Sequence, residues 1–155
     1  MATQLKEGDK APVFTGVDQN ENKISLADYK GKKIVLFFYP EDDTPTCTIQ
    51  ACNLRDNYPL LKQNGFEVLG ISPDDVSKHQ RFKNKFDLPF TLIADPQHNI
   101  IEKYGVWGEK QLYGRKYMGL HRTTFVIDEK GMIKKIFLRP KNKAHAEEII
   151  KWCKS

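Results

Sequence analysis

Apolar positions along this chain come in short blocks whose period changes from block to block. Residues 32–40, KKIVLFFYP, hold an unbroken apolar run ending at Pro40, the pattern of a strand covered on both faces. FEVLGIS at 66–72 predicts a second buried strand, and FTLIAD at 90–95 a third. Between them, DDVSKHQRFKNKFD at 74–87 sets Val76, His79, Phe82 and Phe86 at helical spacing. HNIIEKYG at 98–105 predicts a short helix, and AHAEEIIKWCKS at 144–155 a closing one. TTFVID and MIKKIFL flank a turn at Gly131 and predict a hairpin. The stretch EKQLYGRKYMG, 109–119, is polar and glycine-bearing and reads as a surface loop leading to Arg122.

The segment TPTCTIQACNLRDNYPLLKQNG, 44–65, opens with a helix-start signal. Thr44 suits the N-cap and Pro45 the first helical position, while Gly65 suits the end. Pro59 lies inside, so a kink or break is expected near Asn57–Tyr58. Strands alternating with helices, followed by a hairpin, predict an α/β fold: a central mixed β-sheet flanked by helices. No repeat or linker divides the 155 residues, so 1–155 is expected to form a single domain.

Composition narrows the class. A hydrophobic fraction of 39% with 29% charged residues fits a soluble globular protein, and no apolar run approaches membrane-spanning length. The opening MATQLKEGDKAPVF has no apolar h-region, so a cytoplasmic location is expected. The net charge of +5 raises nucleic acid as a partner, but the lysines are scattered among acids. A solvated basic surface is the simpler reading, with neither nucleic acid nor membrane as a partner.

Only three cysteines are present, too few and too odd in number for a disulfide framework. Two of them, Cys47 and Cys52, stand five positions apart in the helix that follows the first strand. Cys47 falls in the first turn, where free N–H groups and the helix dipole favour a thiolate. The alternative is a small buried hydrophobe, but the polar neighbours in EDDTPTCT argue for exposure. The hydroxyl of Thr44 is expected near the same sulfur, as a helix cap or as a donor to a ligand oxygen.

Five residues along an ideal helix separate two Cα atoms by ~8.6 Å, beyond the ~7 Å that a disulfide tolerates. The two thiols are therefore either unrelated or the ends of a switch that melts a helical turn. A C-x-x-C pair is absent. A cysteine-phosphatase loop would need arginine where Asn53 stands. His79, His98, His121 and His145 show no zinc-ligand spacing, so no metal is expected. Cys153, beside Trp152 in the last helix, reads as a packing residue.

With these residues in view, the chain resembles a known family. YPEDDTPTC contains P-x-x-x-T-x-x-C as Pro40, Thr44 and Cys47, which resembles the active-site motif of the peroxiredoxins. TIQAC, with VLGIS, YGVWGEK, YGRKYMGLHRTTFVID and KGMIKKIF, is similar to the peroxiredoxin Q, or bacterioferritin comigratory protein, subfamily. Thr46 departs from it, standing where many members carry glycine. The resemblance implies a thioredoxin-like fold and a thiol-dependent peroxidase acting on hydrogen peroxide and organic hydroperoxides without a cofactor. It implies Cys47 as the peroxidatic cysteine and Cys52 as the resolving one, joined in an intramolecular disulfide. It implies that Thr44 hydrogen-bonds the peroxide, Pro40 shields Cys47 from water, and Arg122 holds Cys47 as thiolate. Thioredoxin or a similar dithiol would recycle the enzyme, a monomer or weak homodimer. Rival readings are a one-cysteine peroxidase with inert Cys52 and a redox-sensing, chaperone-like binding protein that is oxidised once and stops.

Overall fold

The computed structural model describes residues 3–154. In chain order its main-sheet strands are β1 (Thr15–Asp18), β2 (Lys23–Ser25), β3 (Lys33–Phe38), β4 (Phe66–Ser72), β5 (Thr91–Ala94), β8 (Thr123–Ile127) and β9 (Ile133–Phe137). Strands β6 (Trp107–Leu112) and β7 (Arg115–Leu120) form a separate hairpin. The helices are α1 (Pro45–Asp56), α2 (Tyr58–Gln63), α3 (Val76–Phe86), α4 (Asn99–Lys103) and α5 (His145–Lys154). The main sheet runs β2-β1-β5-β4-β3-β8-β9. β4 is parallel to β3 and β5, and the remaining pairs are antiparallel. This is the mixed sheet flanked by helices that the hydrophobic pattern predicts.

The unbroken apolar run of β3 is explained by two cores, one on each face. Ile34, Leu36 and Phe38 point into a layer closed by Leu26, Ile100 and Ile101. Val35, Phe37 and Tyr39 point into the other, closed by Leu54, Leu61, Phe82 and Ile149 from α1, α2, α3 and α5. Gly70 on β4 makes the second layer possible. A Cβ there would lie 2.8 Å from Phe37 Cζ and 2.9 Å from Leu92 Cδ2.

Helix α1 begins and breaks where the sequence places it. Thr44 is the extended N-cap residue, Pro45 is the first helical residue, and the chain breaks at Asn57 before α2. Helix α3 is capped by Asp75, whose side chain accepts from Lys78 N at 2.8 Å.

One expectation about the fold needs correction. The stretch 109–119 is not a loop. Glu109 pairs with Met118 and Leu112 with Arg115 in a regular antiparallel hairpin. Tyr113 and Gly114, both at positive φ (52° and 78°), form its two-residue turn, the geometry that matches strand twist. The β1–β2 hairpin is also absent from the sequence reading. Its seven residues are mostly exposed or half-buried, so no apolar alternation marks them. Among the described residues, no helix is long and apolar enough to cross a membrane.

Candidate active site

Sheet register brings together the two ends of the site. On β8, Thr123 pairs with Phe38 of β3. Arg122 therefore enters β8 level with the point where β3 leaves the sheet for the loop that leads to α1. The residue before Arg122 is anchored twice: His121 N donates to Val106 O at 2.6 Å, and Thr123 Oγ1 donates to His121 O at 2.9 Å.

From there the Arg122 guanidinium reaches α1 with two donors. Nη2 lies 3.1 Å from Cys47 Sγ, and Nη1 donates to Gln50 Oε1 at 2.6 Å. Cys47 and Gln50 are three residues apart, on one face of the helix. A planar fork spans both, which a lysine ammonium would not do. Any negative charge on Sγ thus meets a fixed cation as well as the N-terminal end of α1.

Cys47 is 1% exposed, packed with Tyr39, Ala51 and Leu54, so the exposure argued from its polar neighbours is wrong. Thr46, Thr48 and Ile49 take the outer positions of the helix and leave Cys47 turned inward. Burial here does not isolate the sulfur, because the half-buried Arg122 guanidinium reaches it.

Thr44 and Pro40 stand where expected in the chain, both half-buried. Thr44 makes no side-chain cap bond. Its hydroxyl donates instead to Glu41 O at 3.1 Å. Its oxygen lone pairs remain, so it faces a ligand as an acceptor while that bond holds.

Cys52 is half-buried further along an unbroken α1, consistent with the separation that forbids a disulfide in the folded helix. Burial pushes its thiol pKa up; the Arg55 charge opposes this and Asp56 adds to it. Cys153 sits at the opposite end of the sheet. It lines a cavity of about 200 Å³ with Lys33, where β3 starts, and Val126 and Ile127, where β8 ends. The length of β3 separates it from Cys47, about 17–20 Å at 3.3 Å per residue.

Two groups escaped the sequence reading. Gln50 is fully buried, and its Nε2 has no hydrogen-bond partner. Its signal was the i,i+3 spacing from Cys47. Lys110 was hidden in the supposed loop. Its Nζ donates to Leu120 O at 3.0 Å, and its pKa is lowered by burial and by the like charge of Arg122, with Cys47 pulling the other way. A second cation therefore stands near the sulfur. A wide cleft of about 970 Å³ also lies along this hairpin, lined by Trp107, Lys110 and Lys116, but Cys47 is not part of its wall.

Comparison with known proteins agrees on one family. The AhpC/TSA family model matches residues 7–136. A relative named putative peroxiredoxin bcp, from Coxiella burnetii, is 47% identical over 146 residues, covering 94% of this chain and 97% of its own. The peroxiredoxin Bcp of Escherichia coli K12 is 45% identical over 150 residues, covering 97% and 96%. Among solved structures, the Xylella fastidiosa PrxQ C47S mutant superposes with TM-score 0.91 at 27% identity, covering 99% of this chain and 98% of that one. The Mycobacterium tuberculosis peroxidoxin BcpB gives 0.86 at 30% identity, covering 97% of each.

Proposed function

The chain belongs to the AhpC/TSA family, as a thioredoxin-fold thiol peroxidase of the peroxiredoxin Bcp and Q group, and on that premise we propose how its residues divide the work. Cys47 is the peroxidatic residue. Its thiolate attacks one oxygen of the hydroperoxide, forming Cys47–S–OH as the O–O bond breaks. The leaving alkoxide, or hydroxide, takes a proton. Arg122 supports this assignment most directly, because its Nη2 lies 3.1 Å from the sulfur, on which charge is lost, and beside the oxygen, on which charge develops. Thr44 Oγ1 accepts the peroxide O–H while its own hydroxyl hydrogen stays directed at Glu41 O. Pro40 covers the sulfur from water. Gln50 positions the guanidinium.

Cys52 is the resolving residue. Its thiol attacks the sulfenic sulfur, a disulfide forms and water leaves. The intact helix forbids this bond, so the first turns of α1 must unwind before it forms. Peroxiredoxins act on peroxides and are recycled by thioredoxin-type reductants. Here a dithiol such as thioredoxin reduces the Cys47–Cys52 bond by exchange and leaves as its own disulfide. Three unpaired thiols suit a reducing compartment, and we place the enzyme in the cytoplasm.

Steady-state peroxide consumption with thioredoxin tests this division. Cys47→Ser is expected to abolish it. Cys52→Ser is expected to retain one turnover and lose recycling. Sustained turnover in Cys47→Ser would refute the assignment, and sustained thioredoxin-dependent turnover in Cys52→Ser would favour a one-cysteine cycle.

A further inference from the structure

The loop between β3 and α1 carries Pro40 and Thr44, and it is held by a buried polar network that the chemistry above does not use. Asp42, at its centre, is 2% exposed and His79 of α3 is fully buried. Asp42 Oδ1 accepts from Tyr39 Oη at 2.5 Å, and Asp42 Oδ2 lies 2.6 Å from His79 Nδ1. His79 Nε2 lies 3.0 Å from Ile93 O of β5. A carbonyl only accepts, so Nε2 carries a hydrogen, and a second proton lies between Nδ1 and Oδ2. The Asp42 backbone N–H donates to Asp74 Oδ2 at 2.7 Å. Asp74 Oδ2 also accepts from Ser72 Oγ at 2.7 Å, and Asp74 Oδ1 pairs with Lys78 Nζ at 3.1 Å. One loop residue is thus tied to β3, β5, the end of β4 and α3.

Immediately downstream the character changes. Asp43 is exposed and left-handed, φ 61°, a conformation uncommon among residues with a side chain and tolerated best by Asn and Asp. Its carboxylate is held by the exposed Lys85 at 2.8 Å. A fixed point at Asp42 followed by an exposed, left-handed turn residue at Asp43 marks where unwinding of α1 would stop.

We propose that His79 is a positioning residue. Acting through Asp42, it holds the β3–α1 loop, and with it Pro40, Thr44 and the start of α1, in the peroxide-reactive arrangement. It favours the peroxide step over the unwinding step that leads to the disulfide. The idea rests on Cys47 as the peroxidatic residue.

Two substitutions separate the two ring nitrogens. His79→Gln keeps a donor for Ile93 O and gives up the bond to Asp42. His79→Asn places an amide N–H where Nδ1 lies and keeps that bond. Sulfenate and disulfide formation are read separately after one equivalent of hydrogen peroxide, by rapid quench, thiol trapping and mass spectrometry. Gln is expected to slow the first step about tenfold, as expected for one hydrogen bond to a charged group, and to leave the second step unchanged or faster. Asn is expected to restore the first step to within about threefold of the parent protein. Ile133→Val, a methylene removed from the opposite core layer, controls for general loosening and is expected to leave the ratio of the two rates unchanged.

The proposal is overturned if Gln leaves that ratio unchanged, or if Asn performs no better than Gln. Should the Gln variant not fold, Tyr39→Phe removes a single bond to Asp42 and must shift the ratio the same way; an unchanged ratio overturns the proposal. Failure of the underlying assignment looks different, because the parent protein itself would then gain no oxygen on Cys47.

Discussion

Replacing Arg122 by alanine removes two donors at once, the one 3.1 Å from Cys47 Sγ and the one 2.6 Å from Gln50 Oε1. Removing one preorganised donor to a developing negative charge costs about 3 kcal/mol, or ~10² in rate. The loss at Arg122 should be at least that, because the group carries a full charge and meets a sulfur that is itself only 1% exposed. Stability falls as well. Gln50 already has an unpartnered Nε2, and losing the Oε1 bond leaves the whole buried amide unsatisfied, at about 1–3 kcal/mol. The rate is measured in a Cys52→Ser background, so that only the reaction of Cys47 with peroxide is followed, by stopped flow under excess peroxide. Urea unfolding of the same proteins gives the stability term. Arg122→Lys is expected to fall between parent and alanine, since an ammonium serves Sγ or Gln50 but not both. A second-order rate constant within about fivefold of the parent in Arg122→Ala, with the fold intact, would refute the role given to the guanidinium.

Three further outcomes follow. Burial raises the Cys52 thiol pKa in the folded helix, so the protonated thiol stabilises the folded form. That contribution is complete below the ordinary thiol pKa of about 8.5 and is lost as pH rises through the raised folded value. Disulfide formation from the sulfenic acid should therefore accelerate above about pH 8.5, and a rate flat across that range would count against unwinding as the controlling step. Gly70→Ala drives a Cβ to 2.8 Å from Phe37 and 2.9 Å from Leu92, an overpacking cost of about 1–3 kcal/mol in urea unfolding. Peroxide reactivity per folded molecule should be retained, and an unchanged midpoint would contradict the packing described. Gln50→Leu removes the acceptor that holds Nη1, so the peroxide rate constant should drop about tenfold, while a rate equal to the parent would leave Arg122 positioned by the backbone alone.

How much of this was readable beforehand depended on burial. Strand β3 and strand β4 are covered on both faces, so their apolar runs stand out, and 66–72 coincides with the observed strand. Pro45 and Asn57 mark the ends of α1 by local backbone chemistry alone. The β6–β7 hairpin stayed hidden because residues 111–118 are exposed on both faces, so no alternation betrays the strands. With it went Lys110. The inward turn of Cys47 was missed for a related reason. Its sequence neighbours are polar because they cover the outer side of α1, and only the tertiary packing of Tyr39 and Leu54 decides which side faces in. Arg122 was reachable through family resemblance alone. Its meeting with Cys47, 75 residues away, depends on the Phe38–Thr123 register, which no local pattern encodes.

The most direct test of the central claim follows the sulfurs after a single oxidation. Fully reduced protein is treated with one equivalent of hydrogen peroxide, its remaining thiols are alkylated, and the digest is mapped by mass spectrometry. The account predicts a peptide carrying both Cys47 and Cys52 that has lost two hydrogens, with Cys153 fully alkylated. A Cys47 recovered as alkylated thiol, or bonded to Cys153, would contradict it.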